Sequence, residues 1–187
     1  MFINVLLEIL GIIFIWLGLA LSVLIHESGH MAGYRLAKGE EDWIIQVGFG
    51  KTLIKTKNYD IRILPFSGVF YNPDSDNTYT KAQALICSAG GPVFSLVLIL
   101  ILFALGAGTS AFIDYYRPTW DFIRTYNIII FISAIIPLRY PSFFPIIGGM
   151  ESDGMHILKA LKSKVPISVL AKFISNRVVI RPPAETS

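Results

Sequence analysis

The chain has 187 residues, 53% of them apolar and only 16% charged, against about 25% charged in an ordinary soluble domain. That length is room for one domain, and a water-soluble fold of this size could hardly hide so much apolar surface. A net charge of +3, carried in loops and tail without interleaved aromatics, argues against a nucleic-acid partner; the single cysteine, Cys87, excludes an internal disulfide or a cysteine-based zinc site and reads as apolar packing.

The first predicted element is a helix over residues 3–37. From Phe2 to Ile25 its only charge is Glu8, expected at the outer interface. A cleavable signal peptide is not expected, because Met1-Phe2-Ile3-Asn4 lacks a basic region and the apolar run continues into a chemical motif. That motif is His26-Glu27-Ser28-Gly29-His30. Two imidazoles four residues apart share one helix face and can reach one zinc ion, while the intervening glutamate can take a proton from water. Soluble metalloproteases hold such a helix in a wet cleft; the apolar lead-in here places zinc chemistry inside a membrane.

The loop after the helix, residues 43–71, contains three β-branched or aromatic runs: Trp43–Val47, Thr52–Thr56 and Tyr59–Ile63. They predict three short strands, whose edge could bind an unwound substrate by strand addition or simply brace the helices; Ile61 and Ile63 are the candidate contacts. Further spans are predicted over 82–108 and, shorter and with Asp121 and Arg124 near its mouth, over 120–138. Basic residues crowd the loop 38–81 and the tail, with few on the other side. The positive-inside rule puts the N-terminus outside and that loop and the C-terminus in the cytoplasm, a parity that three spans satisfy.

Two histidines need a third protein ligand if the fourth zinc position is to hold water. Beyond the proline-broken stretch Pro137, Pro141 and Pro145 comes Glu151-Ser152-Asp153-Gly154-Met155-His156. Asp153 could ligate the metal, cap a new helix, or do both. His156 is the only other histidine; it could hydrogen-bond near the site or merely face a carbonyl. The segment 139–187 is read as this motif plus a tail that, beyond Lys164, is either an interfacial helix or disordered.

These motifs resemble the site-2 protease family of intramembrane zinc metalloproteases, which pairs H-E-x-x-H with a later D-G motif. The resemblance implies His26, His30 and Asp153 as zinc ligands and Glu27 as general base, with His156 matching members that carry a histidine after the glycines. Val47-Gly48-Phe49-Gly50 and Ile63–Val69 resemble the family's membrane-associated β-hairpin. Ala89-Gly90-Gly91-Pro92-Val93-Phe94-Ser95 resembles its A-G-P-x-x-N motif, which implies substrate positioning by Gly91, Pro92 and Ser95. Ser95 stands where the family has asparagine, and Ser133–Pro137 lacks the asparagine of a second family pattern. The segment Leu138–Ser152 is longer than the family's short loop.

The expected fold is a mainly α integral membrane protein in a single domain, 1–187: a three-transmembrane-helix catalytic core with a small membrane-associated β-hairpin or sheet, without a PDZ-like or CBS domain. The expected function is that of a zinc endopeptidase cleaving a single-span or signal-peptide-like membrane protein in regulated intramembrane proteolysis. A separate partner would supply regulation. The competing reading is a non-catalytic scaffold or escort that binds client helices in a protease-like cavity; a metal transporter fits less well, since no second polar helix lines a path.

Overall fold

The computed structural model describes residues 2–39, 42–72, 79–106 and 114–162. In chain order these form α1 (Phe2–Lys38), β1 (Ile44–Lys55), β2 (Tyr59–Tyr71), α2 (Lys81–Gly106), α3 (Arg117–Ile135) and α4 (Asp153–Lys162). The tail beyond Lys164 and the last two residues expected in the second span lie outside the described residues.

α1 has 37 residues, a length of about 55 Å, well beyond the ~30 Å of a bilayer's hydrocarbon core. Val5, Leu6, Ile9, Ile12, Ile13 and Leu17 are all exposed on it, as suits a helix whose surroundings are lipid. By length and composition α1 from Val5 onward and α2 can each cross a membrane. α3, with 19 residues including Arg117, Asp121 and Arg124, does not pass that measure on its own.

Local chemistry sets the helix boundaries. At the start of α2, Thr80 and Gln83 form a reciprocal capping box: Gln83 Oε1 accepts from the Thr80 N–H at 2.8 Å and Thr80 Oγ1 from the Gln83 N–H at 3.2 Å. α3 begins with Pro118 in its first turn and ends where Ile136 turns extended, as a residue before proline prefers. α1 and α2 cross with backbones in contact. A Cβ on Gly29 would lie 2.2 Å from the Gly90 carbonyl oxygen, and one on Gly33 2.6 Å from that of Ile86; small residues four apart permit this approach.

The sheet departs from the expected three short strands. The first two runs are one strand, β1, which pairs antiparallel with β2. β1 turns through Gly48 and Gly50, both at positive φ (81° and 84°), a conformation that favours glycine. The hairpin therefore folds over on itself: Ile45 pairs with both Phe70 and Tyr59, and Val47 with both Gly68 and Ile61. It also lies along α1. Phe70 packs against Tyr34 with the rings tilted at 55°, Asn72 hydrogen-bonds the Tyr34 hydroxyl, Gly68 abuts Val23 and Glu27, and Trp16 Nε1 donates to the Ile63 carbonyl at 2.7 Å. The hairpin thus reaches a level of α1 ten residues before His26, about 15 Å along the helix axis. A buried cluster of Val23, Trp43, Ile45 and Val47 seals this contact.

Between α3 and α4 the chain makes a compact loop. Tyr140 and Met150 are joined by a backbone hydrogen bond of 2.9 Å, and Arg139 pairs with Glu151 in a single β-bridge. Ser152 ties the loop's ends together: its Oγ donates to the Ile136 carbonyl at 2.7 Å and accepts from the Leu138 N–H at 3.1 Å. The backbone of Gly154 sits directly against Ile135, where a Cβ would approach the carbonyl oxygen to 1.9 Å.

Candidate metal centre

His26 and His30 project from one face of α1, and Asp153 enters from the first turn of α4; all three are buried. Nε2 of His26 and Nε2 of His30 are 3.3 Å apart. Asp153 Oδ2 lies 3.4 Å from the first and 3.2 Å from the second. A tetrahedral zinc with bonds of 2.0–2.1 Å holds its ligand atoms roughly 3.3–3.4 Å apart. Three donors, two imidazole nitrogens and one carboxylate oxygen, therefore form a triangle of the size one face of such a site requires, and the donor set fits zinc.

The other ring nitrogens fix which way the imidazoles point. His30 Nδ1 donates to the Cys87 carbonyl at 2.8 Å, which leaves the Nε2 lone pair facing the triangle. His26 Nδ1 meets Ser95 Oγ at 2.8 Å. Such outer contacts orient metal-binding histidines. Ser95, expected from the resemblance to position substrate, thus stands behind His26. Gly91 does similar work by being small: a Cβ there would lie 2.3 Å from His30 Nε2 and 2.8 Å from His26 Cε1. Pro92 is buried within α2. None of these three lines the cavity.

The cavity in front of the triangle is walled by Val23, His26, Glu27 and His30 of α1, Phe66–Val69 of β2, Tyr126, Ile130, Ser133 and Ala134 of α3, and Tyr140, Ile147, Met150, Glu151 and Asp153. Glu27 is buried in this wall, close under β2; a Cβ on Gly68 would come within 3.0 Å of its Oε1. Ile61 and Ile63 are not in the wall. Ile61 is occupied with Val47 and Ile54 inside the hairpin, and the Ile63 carbonyl is taken by Trp16. The β2 residues beside the cavity, Phe66–Val69, are those three to six positions beyond Ile63.

The helix cap expected near Asp153 falls on its neighbour. Ser152 is the cap, its Oγ accepting from the Met155 N–H at 3.2 Å, and the Asp153 carboxylate lies toward the histidines. The sequence signal for this was present, since a serine directly before Asp-Gly is as good a cap as the aspartate. His156, buried on α4, is not in the cavity wall. Glu151 is. Burial raises its pKa, but hydrogen bonds from Lys159 and Arg139 outweigh that and hold it below the ordinary 4.5. It is a fixed anion clamping the loop to α4.

Neither curated proteins nor solved structures give a match to the chain. Residues 14–181 match the family model described as peptidase family M50.

Proposed function

The chain belongs to peptidase family M50, whose members are membrane-embedded zinc metalloproteases, and from that premise we propose that it cleaves a peptide bond in or beside a transmembrane segment of another membrane protein, as a step of regulated intramembrane proteolysis. The observation that carries this reading is the convergence of His26, His30 and Asp153 on one point of a cavity that also holds Glu27 and one strand of a sheet. In this reading the first three hold zinc. Bound zinc supplies Lewis acidity, polarising the scissile carbonyl and acidifying water. Glu27 takes a proton from the attacking water and delivers it to the leaving amine. The apolar wall of Val23, Ile130, Ala134 and Ile147 limits competing water and strengthens the local field.

The architecture we propose is a single protease domain of three spans, α3 being the third, with the N-terminus outside and the loop 38–81 starting and ending on the cytoplasmic side. The hairpin in that loop dips alongside α1. An open strand edge in lipid carries unsatisfied backbone groups, and membranes tolerate it only where it is covered or lines a cavity. Gly68–Tyr71 has a strand partner on one side, Ile44–Val47, and Phe66–Val69 borders the cavity. A substrate unwound into an extended segment would add to that edge, which presents its backbone to Glu27. Substrates with one span, or signal-peptide-like segments interrupted by Gly, Asn or Pro, unwind most readily.

Two measurements test this. Chelation of the purified protein is expected to abolish cleavage of a reconstituted single-span substrate, and zinc to restore it; cleavage that survives complete metal removal would contradict the reading. For the strand, Ser67→Cys in a Cys87→Ala background should form disulfides with a cysteine walked along the substrate at alternating positions, the period of an extended chain. A period of three to four residues would mean that the substrate docks as a helix and would sink the strand-addition idea.

A further inference from the structure

We propose that Asn127 and Ser22 are a registry pair that sets the two halves of the metal centre against each other; this rests on reading His26, His30 and Asp153 as the ligands. Asn127, on α3, has no exposed surface. Its Nδ2 donates to Ser22 Oγ at 2.8 Å and to the Ile123 carbonyl of its own helix at 2.8 Å. Ser22 passes the chain on, its hydroxyl donating to the Gly18 carbonyl at 2.6 Å. Ser22 lies one helical turn before His26 on α1.

The other half of the amide explains why it is not simply packing. Asn127 Oδ1 is buried with no hydrogen-bond partner among the described residues, a cost that leucine would not carry at this position. What leucine would lack is a preferred partner. An apolar contact between two helices tolerates sliding, whereas a buried amide must meet its acceptor, and this is the best-attested use of a buried polar side chain.

Register between α1 and α3 matters because the centre is divided between them. α1 carries both imidazoles. The far end of α3 carries Asp153 through close contacts: Gly154 against the Ile135 carbonyl, and Ser152 Oγ bonded to the Ile136 carbonyl. From Asn127 to Ile135 is about 12 Å of helix. Fixing Asn127 against Ser22 therefore fixes where Asp153 arrives relative to His26 and His30, although neither residue of the pair touches the triangle. They are positioning residues.

The test uses the full chain in detergent, with zinc affinity read by chelator competition and the melting temperature of the metal-free protein read in parallel. Asn127→Leu is expected to weaken zinc binding about tenfold or more, the scale of loss when a partner outside the ligand shell is removed, while the metal-free melting temperature is unchanged or higher. Ser22→Ala should weaken zinc binding similarly, and the double variant no more than the weaker-binding single, because one interaction is removed in each case. Wild-type affinity in both singles, or losses that multiply in the double, would overturn the proposal. Should Asn127→Leu not fold, Ser22→Ala decides alone, and wild-type affinity there overturns it. A failure of the ligand reading shows separately, as unchanged zinc affinity in His30→Ala.

Discussion

Replacing Glu27 by glutamine is expected to leave zinc in the protein and to remove nearly all cleavage. Glutamine has the volume and shape of glutamate, so it fits the buried slot between α1 and Gly68 of β2. It is not one of the three converging donors, so metal content has no reason to change. The amide cannot accept a proton from the attacking water. General acid–base groups contribute about 10²–10⁴-fold to rate, and a loss in that range is expected, read as accumulation of uncleaved membrane substrate alongside a zinc content equal to that of the unaltered chain. Substantial cleavage by the Glu27→Gln protein would place the chemistry elsewhere, whereas cellular function retained by a protein that no longer cleaves would favour the binding of client helices.

Gly91→Ala is expected to act on the metal rather than on the fold. The new Cβ would lie 2.3 Å from His30 Nε2, 2.7 Å from His30 Cε1 and 2.8 Å from His26 Cε1, far inside ordinary contact distance. Side-chain ends usually swing away at little cost. Here they cannot do so and still point at the triangle, because His30 is held by the Cys87 carbonyl and His26 faces Ser95. The expected outcome is a loss of zinc affinity of at least about tenfold, and a corresponding loss of activity, with helix content retained. Gly29→Ala is the contrasting case: its Cβ meets the Gly90 backbone at 2.2 Å, which pushes α1 and α2 apart. Zinc binding by Gly91→Ala at full affinity would show that the imidazoles have freedom that their hydrogen bonds deny them.

Much of the centre was legible because its signals are local. His26, Glu27 and His30 sit within one and a half turns of a helix whose apolar run is continuous, and the Ser152-Asp153-Gly154 step marks a helix start whichever residue caps it. Pro137 signalled that this helix stops nearby, although α3 ends at Ile135, three residues before the expected 138. What sequence did not reveal depends on contacts between distant segments. Nothing in Ser95 or Cys87 announces that a hydroxyl and a carbonyl 69 and 57 residues from their histidines would orient the imidazoles. Periodicity suggested strands in the loop, yet it carried no information on Gly48 and Gly50 folding the hairpin over or on Trp16 receiving its far end. That is why the strand contacts were expected at Ile61 and Ile63, whereas Phe66–Val69 border the cavity. Asn127 carries no sequence signal, since one amide in an apolar helix breaks no pattern and its partner Ser22 lies on a distant segment.

In the proposed composite site, segments about 125 residues apart in sequence share one zinc ion, and the zinc content of Asp153→Ala decides whether they do. Asp153 Oδ2 is the only carboxylate oxygen in the triangle among the described residues, and alanine removes it without disturbing the Ser152 cap. The unaltered protein purified without chelator should carry one zinc per chain, and Asp153→Ala should carry little or none under the same conditions. Zinc retained at one per chain in Asp153→Ala would contradict the composite site.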